Sequence, residues 1–198
     1  MKMQGRISLA LCGLLLAGVL LLVDTSARAQ AGVLYVSPDG ACGGATPCYA
    51  VIQDAVDAAG EGDTVKVAEG TYGRPGAYIV HVTKGMAIIG GFATGDWLTS
   101  LPETQPTVLD AVGTLGRRGI VVEAGSGGPV WLEGLVVQGG LAAPAADGGG
   151  IYVAGGSVTV HRCKITANTA TGTVGGGGGG VFLQAGALTI RESTILNN

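Results

Sequence analysis

The chain contains an internal repeat, and a repeat limits the possible folds more than any other feature of this sequence. Residues 150–168 align without a gap onto residues 180–198. Each copy holds three short apolar segments separated by turns, and such a unit cannot bury its apolar side alone. The copies must therefore stack on one another. The aligned pairs include Ile151 with Val181, Tyr152 with Phe182, Val158 with Leu188, Val160 with Ile190, Ile165 with Ile195, Gly156 with Gly186 and Asn168 with Asn198.

A weaker third copy begins at Gly119. Alternation along each strand places one set of side chains inside the stack and the other set outside. We therefore predict an all-β fold, a right-handed parallel β-helix that forms a single-stranded solenoid. The predicted inward residues are Val158, Val160, Cys163, Ile165 and Ile195, and the predicted outward residues are Thr159, His161 and Lys164.

Asn168 and Asn198 occupy the same turn of their repeats. An Asn side chain can donate to and accept from the backbone of its own turn. We therefore expect a stacked amide ladder at this position.

One segment has the pattern of a helix rather than a strand. Thr46 is a suitable N-cap and Pro47 a suitable first helical residue. Apolar residues then fall on one face, Gly60 can end the helix, and Gln53, Asp54 and Asp57 are expected to face water. We predict an N-terminal capping helix over residues 47–59 that covers the open first coil and its strand edge.

Residues 1–29 have the pattern of a signal peptide, with Lys2 and Arg6 before an apolar run and small residues at Ala27 and Ala29. Cleavage is predicted after Ala29, and an uncleaved N-terminal anchor is the alternative. Residues 30–72 are then expected to form the cap and first coil, and residues 73–198 the further coils.

The charge balance restricts the partners of the mature chain. Of the 11 basic and 14 acidic residues, residues 1–29 contain three and one, which leaves eight basic against thirteen acidic residues. This balance argues against nucleic acid or anionic lipid as a partner.

The cysteines agree with export. Cys42 and Cys48 close a short loop, and an oxidising compartment would allow them to form a disulfide. A Cys-x5-Cys metal site is the competing interpretation, but no other Cys or His lies near in the sequence. Cys163 aligns with Ser193, so its position requires a small side chain, and we expect a buried, unreactive thiol there.

These motifs carry a resemblance to known families. Tyr35-Val36-Ser37-Pro38-Asp39-Gly40, the two cysteines, residues 52–56, residues 62–68 and Gly70-Thr71-Tyr72 resemble the N-terminal module of secreted proteins of the pectate-lyase-like superfamily. Gly148-Gly149-Gly150-Ile151 with residues 165–168, and residues 178–181 with residues 195–198, resemble the paired repeats of the polymorphic outer membrane protein family. That family prefers Ala and Phe where this chain has Gly150 and Ile165. The resemblance implies a cell-surface location and adhesion more than a reaction.

The sequence shows no cluster of residues that supports a catalytic, cofactor or metal assignment. A polysaccharide lyase needs clustered carboxylates for Ca²⁺ and a basic residue, and a glycosidase needs two carboxylates at a set separation. His81 and His161 are separate from each other and are not matched with a Ser or Cys partner, so a nucleophile and base pair is not supported. The outward carboxylates occur singly, although adjacent coils could bring two together; they are Asp110, Glu123, Glu133, Asp147 and Glu192.

The remaining candidate is the outward face of the sheet. Its predicted rows form a possible ligand face for a glycan or a cell-surface protein, and an ordinary solvated sheet is the alternative. The residues are Thr159, His161, Lys164, Thr189 and Arg191.

The leading hypothesis is a non-enzymatic secreted or cell-surface β-helix, part of an adhesin-like or outer-membrane envelope protein. The alternative is a carbohydrate-active enzyme, a lyase or glycosidase, with its catalytic residues on coils beyond this sequence. We also expect the chain to continue past Asn198, because stacked repeats need a terminal cap. A membrane is expected to be involved only through export or an anchor located there.

Overall fold

The computed structural model describes residues 31–113, 116–125, 127–143, 147–171 and 177–198. The predicted signal peptide lies outside these residues. No helix within the described ranges is long and apolar enough to cross a membrane.

Short strands are the predominant regular structure of the described residues. One α-helix, α1, spans Ile52–Ala58, and a 3-10 turn spans Cys42–Gly44. The strands are β1 Val33–Val36, β2 Cys48–Tyr49, β3 Thr64–Ala68, β4 Gly70–Tyr72, β5 Tyr78–Val82, β6 Ala87–Phe92, β7 Thr107–Asp110, β8 Arg118–Glu123, β9 Val130–Glu133, β10 Leu135–Gln138, β11 Ile151–Gly155, β12 Ser157–His161, β13 Lys164–Thr166, β14 Val181–Leu183, β15 Ala187–Arg191 and β16 Thr194–Leu196.

The strands form three stacked parallel sheets. A seven-stranded sheet has the order β15-β12-β9-β6-β3-β1-β2, a five-stranded sheet the order β16-β13-β10-β7-β4, and a four-stranded sheet the order β14-β11-β8-β5. From β3 onward the chain enters the three sheets in turn, so each strand pairs with its counterpart in the next repeat. The predicted all-β class with parallel pairing is confirmed.

The strand registers reproduce the sequence repeat. Ile151 lies opposite Val181, Val158 opposite Leu188 and Ile165 opposite Ile195. The predicted alignment of the weaker third copy is also confirmed, because Ile120 lies opposite Ile151 and Val130 opposite Val158. Residues that align in sequence are therefore hydrogen-bonded neighbours.

The inward side chains form one continuous apolar core across the repeats. Val158, Val160, Cys163 and Ile165 are all buried, as predicted. The expectation that Ile195 is also buried is wrong, because 47% of it is exposed. It keeps its register with Ile165, but among the described residues β16 has a neighbouring strand on one side only.

The predicted amide ladder is present. Asn168 is fully buried, and its Nδ2 donates to Thr166 O (3.0 Å), Val137 O (3.0 Å) and Asn198 Oδ1 (2.9 Å). Asn198 Nδ2 in turn donates to Leu196 O at 2.9 Å. Each side chain therefore satisfies the backbone of its own turn and joins it to a neighbouring repeat.

The helix begins later than predicted. Thr46 and Pro47 do not cap it, because Pro47 O accepts a hydrogen bond from Tyr35 N at 3.0 Å and Cys48 begins a strand beside β1. The helical segment starts only at Ile52, and no side chain caps it. The backbone of residues 47–49, which the sequence pattern assigned to the first helical turn, therefore pairs with β1 instead of forming a helix.

Helix α1 packs its apolar face into the core, through Ile52, Ala55 and Val56. Gln53 was expected to face water, and that expectation is wrong: it is 6% exposed. Its Oε1 accepts from His81 N at 2.7 Å and its Nε2 donates to His81 O at 3.1 Å. The helix thus closes the outer edge of the four-stranded sheet, where unpaired backbone groups would otherwise be left.

Candidate functional site

The predicted ligand face is divided between two sheets. Thr159 and His161 on β12 lie opposite Thr189 and Arg191 on β15, in the seven-stranded sheet. Lys164 lies on β13, in the five-stranded sheet, where it lines a groove together with Arg162 and Glu192. The structure thus brings together four of the five predicted residues.

Strand register extends these pairs into two rows that cross the seven-stranded sheet. The first row continues through Glu133, and the second through Trp131. In full, the first row is Arg191, His161, Glu133, Ile89, Lys66 and Tyr35, and the second is Thr189, Thr159, Trp131, Ala87, Thr64 and Val33.

A loop, residues 93–106, leaves β6 and covers one half of these rows. Trp97 is its anchor: the ring lies edge-on to Tyr35 at 5.0 Å and its Nε1 donates to Cys42 O at 3.0 Å. Lys66 Nζ donates to Trp97 O at 2.5 Å. The half of the face formed by β1, β3 and β6 therefore forms a second small core.

The predicted disulfide lies beside this small core. Cys42 and Cys48 are bonded, with their Cα atoms 5.9 Å apart. The bond links the 3-10 turn to β2, which is the edge strand of the seven-stranded sheet. Cys163 is a buried free thiol, as expected, and burial raises its pKa to about 11.

Beyond the loop, the open half of the face carries a connected group of side chains. Trp131 is 36% exposed, and its ring centroid lies 5.5 Å from that of His161. Its Nε1 donates to Glu133 Oε2 at 2.6 Å. His161 Nδ1 is shielded from solvent, and Glu133 Oε2 lies 3.5 Å from it, beyond a good hydrogen bond.

Arg162 joins this group to the loop. Its guanidinium Nη2 lies 2.5 Å from Glu133 Oε1 and 3.4 Å from Ser100 Oγ. Arg162 has φ 48°, and Gly134 and Glu192, the equivalent residues of the neighbouring repeats, have φ 63° and 48°. A left-handed conformation is strained for residues other than Gly, by about 1–2 kcal/mol, and such strain is frequent at functional sites.

Glu133 is held as an anion. Its burial opposes ionisation, but hydrogen bonds from Trp131 and Arg162, together with the positive charge of Arg162, outweigh burial and keep the pKa of Glu133 below its ordinary value. A carboxylate of this kind orients its neighbours and is a poor proton donor near neutral pH.

A second carboxylate approaches the same imidazole from the next repeat. Glu192 Oε2 lies 3.4 Å from His161 Nε2, and its side chain is largely exposed. The sequence favoured separate surface charges for Glu133 and Glu192 but left open that adjacent coils bring two carboxylates together, and this second interpretation applies to the pair. The other three outward carboxylates each have a separate partner. Asp110 accepts hydrogen bonds from Gln138 and Val112, Glu123 pairs with His81, and Asp147 accepts from Gly177.

Two hollows flank this group. A groove of about 440 Å³ runs between the end of the loop and the turns at Gly134, Arg162 and Glu192. On the other side, a shallower hollow of about 300 Å³ lies between Trp131 and the turn at Glu61. Trp131 lines the second hollow, and Arg162 and Glu192 line the first. Glu133 contacts both Trp131 and Arg162, and we call this group of side chains with its two hollows the Trp131 groove.

The Trp131 groove combines an apolar ring with hydrogen-bonding and charged side chains. Within the described ranges, no set of three His, Cys, Asp or Glu side chains is placed to hold a metal ion. The indole offers an apolar face, and the flanking carboxylates, imidazole and guanidinium offer hydrogen bonds in both directions.

Comparison with known proteins adds no assignment: no protein-family model, curated protein or solved structure matches this chain.

Proposed function

We propose that the chain is a non-enzymatic, right-handed parallel β-helix that is exported and binds a glycan or a cell-surface protein. The order in which the chain enters its three parallel sheets supports the helical path. Crossover connections between parallel strands of one sheet are right-handed in nearly all proteins, which supports the handedness.

The Trp131 groove is the observation that carries the binding role. Ligand sites are concave, with exposed aromatic surface and a few placed polar groups. Here Trp131 supplies the aromatic face, and Glu133, His161, Arg162 and Glu192 surround it with fixed donors and acceptors. The predicted residues Thr159, Thr189 and Arg191 extend this surface along the same two rows.

Export to the cell surface or the outer membrane is proposed on independent grounds. The disulfide between Cys42 and Cys48 is of the kind that persists in oxidising compartments. The signal-like residues 1–29 and the resemblance to the pectate-lyase-like superfamily and polymorphic outer membrane proteins point to the same destination. An adhesin-like role is consistent with both.

A glycan array followed by titration tests the binding role. We expect Trp131→Ala to weaken binding of the best array ligand by at least about tenfold, since an aromatic anchor commonly contributes more than 1 kcal/mol. Leu98→Ala is the matched control, because Leu98 is an exposed apolar residue that lines neither hollow. Equal affinity of Trp131→Ala and the parent protein would contradict the proposed groove.

A carbohydrate-active enzyme remains the second candidate, and one observation favours it: Glu133 and Glu192 converge on His161. The measurement is product release from a panel of uronic-acid polymers with and without Ca²⁺. Activity that is lost in both His161→Ala and Glu192→Gln would replace the binding hypothesis with the enzymatic one.

A further inference from the structure

The loop of residues 93–106 forms one side of the Trp131 groove without regular structure of its own. The structure describes the whole loop, and none of it lies in a helix or a strand. Pro102 and Glu103, near its end, line the hollow of about 440 Å³, and Trp97, nearer its start, is 9% exposed. Such a segment keeps its position only through contacts with its surroundings, so these contacts decide whether the groove has a wall.

The 3-10 turn Cys42–Gly44 supports the start of the loop. Trp97 Nε1 donates to Cys42 O, and this bond joins residues 55 positions apart. The turn and the loop also meet backbone to backbone, because a Cβ atom on Gly43 would lie 2.6 Å from the Cα atom of Gly95. Contact this close requires the turn to keep its shape.

The turn has an unfavourable backbone conformation. Cys42, Gly43 and Gly44 have φ 48°, 58° and 91°. The left-handed region is open to glycine, but it is strained for Cys42, because its Cβ atom crowds the backbone there. A hydrogen bond from Cys42 N to Ser37 Oγ (3.0 Å) and the disulfide to Cys48 of β2 hold Cys42 in this conformation. Of these two bonds, the disulfide is the one that a change of redox conditions can remove.

The disulfide belongs to the small core and not to the main core of the repeats. The buried members of the small core are Cys42, Ala68, Phe92 and Trp97, and Cys48 packs against them. Among the described residues, the continuous apolar core of the repeats contains neither of these two cysteines. Loss of the disulfide should therefore loosen the turn and the loop while the stacked strands keep their packing.

We propose that the disulfide between Cys42 and Cys48 is a redox latch, whose formation fixes the loop of residues 93–106 against the sheet and so completes the Trp131 groove. In a reducing compartment the turn relaxes, Trp97 loses its acceptor, and the wall of the groove becomes mobile. In an oxidising compartment the latch closes. This inference rests on the proposed binding role of the groove and adds a condition for the formation of the site.

Closing the latch is a two-electron oxidation. The thiol groups of Cys42 and Cys48 lose two protons and two electrons as the S–S bond forms, and a disulfide oxidant accepts them and becomes two thiols. The exchange passes through a mixed disulfide on one of the two sulfurs. Cys42 is fully buried and Cys48 is partly exposed, so a reducing thiol attacks more readily at Cys48 when the latch opens.

The two tryptophans of the chain allow the latch to be followed without a ligand. In a Trp131→Phe background Trp97 is the only indole, and acrylamide quenching of its fluorescence measures how far the start of the loop has opened. Deuterium exchange with peptide mass spectrometry measures the wall of the groove through Leu101 N, which donates to Gly91 O at 2.7 Å.

The variants separate the latch from a general loss of stability. Cys42→Ser with Cys48→Ser removes the disulfide, and Cys163→Ser is the matched control because it changes a buried thiol of the main core. Reduction of the parent protein with dithiothreitol and reoxidation with glutathione disulfide test reversibility. If the double variant does not fold, Trp97→Phe carries the test, because it keeps the disulfide and removes the bond to Cys42 O, and deuterium exchange of the loop should still rise.

We expect quenching of Trp97 to increase severalfold in the double variant. Exchange at Leu101 should become about tenfold faster, because a loop without its support opens more often. Dithiothreitol should have the same effect on the parent, and glutathione disulfide should reverse it. Exchange in β11 and β12 should stay unchanged, and Cys163→Ser should match the parent in both measurements.

Three results would overturn the inference. Unchanged quenching of Trp97 without the disulfide would show that the loop does not depend on it. Faster exchange near Trp97 that does not reach Leu101 would confine the disulfide to the small core, and an equal loss of protection in β11 and β12 would make it a general support of the fold. None of these measurements uses a ligand, so the glycan titration alone decides the binding role.

Discussion

Replacement of Asn168 by aspartate tests the physical basis of the amide ladder. The two side chains have nearly the same shape, so packing should be unchanged. Asn168 Nδ2 donates to three oxygens, of Val137, Thr166 and Asn198, and Asn168 itself is fully buried. The substitution places a carboxylate oxygen among three acceptors at a position that is shielded from bulk solvent.

The expected cost follows from this geometry. An uncompensated buried charge commonly destabilises a protein by about 3–5 kcal/mol, a large part of the total stability of a single domain. Gly140 N donates a hydrogen bond to Asn168 Oδ1 at 2.9 Å, and the aspartate can keep this bond. The loss of unfolding free energy should therefore stay within this range.

The cost should depend on pH in a defined direction. The surroundings disfavour the anion, so the pKa of the new carboxyl is raised in the folded state above its unfolded value of about 3.9. The folded variant is then stabilised by a bound proton that the unfolded chain releases. Relative to the parent, the variant should regain stability as the pH falls through the folded pKa toward 3.9, and lose it as the pH rises.

The assay is urea unfolding of parent and variants between pH 4 and pH 8, with the unfolding free energy extrapolated to water. Asn198→Asp is the control, because Asn198 makes the same bonds to its own turn but is exposed, and we expect a cost below about 1 kcal/mol there. Equal costs for the two variants, or a cost for Asn168→Asp that does not change with pH, would refute the reasoning.

The remaining predictions concern the core and its edges. Ile165→Asp should cost several kcal/mol in urea unfolding, because Ile165 is fully buried, and Thr189→Asp should be nearly neutral. Cys163 should resist iodoacetamide at pH 8 in the native protein and react in urea, as peptide mapping would show, because its raised pKa keeps it protonated. Gln53→Leu should cost about 1–3 kcal/mol in the same unfolding assay by leaving backbone groups of a strand edge unpaired, and Asp54→Leu should have little effect.

The repeat and the alternation within it were sufficient to predict the register of the later strands. Each apolar position recurs at the same place, and a slip of one residue would move a buried side chain to the surface. Val158 and Ile165 therefore had a single acceptable alignment with their neighbours. The same argument predicted the amide ladder, since equivalent turn residues must stack when their strands pair.

The first coil was less predictable because tertiary pairing overrides local preference there. Thr46 and Pro47 have suitable residue types for a helix start, but the backbone of residues 47–49 pairs with β1. Gly70 to Tyr72 likewise form β4 beside β7, a pairing that the sequence pattern did not predict. Neither pairing partner could be identified from the segment itself, because these pairings join segments that no sequence repeat relates.

The convergence of Glu133 and Glu192 on His161 depends on two features that were not combined in the sequence analysis. The weaker copy already placed Glu133 opposite His161, and Glu192 follows Arg191, which lies opposite His161 on the other side. What was missing is the left-handed turn at Glu192, which lets a side chain beyond the strand reach back to the imidazole.

The location of the Trp131 groove follows from the place where the repeat is interrupted. After β9 and after β12 the chain turns into the next sheet through one or two residues, beginning at Gly134 and Arg162. After β6, the equivalent turn is replaced by the loop of residues 93–106, which folds back over the sheet and ends opposite those same turns. A strictly regular stack would present a flat, solvated sheet face. The loop instead rises above the sheet beside β9 and bounds the open half of the face on that side. Trp131 and His161 are the aromatic residues that follow this loop in the two rows, on β9 and β12. The position of the loop therefore determines where a ligand can be enclosed.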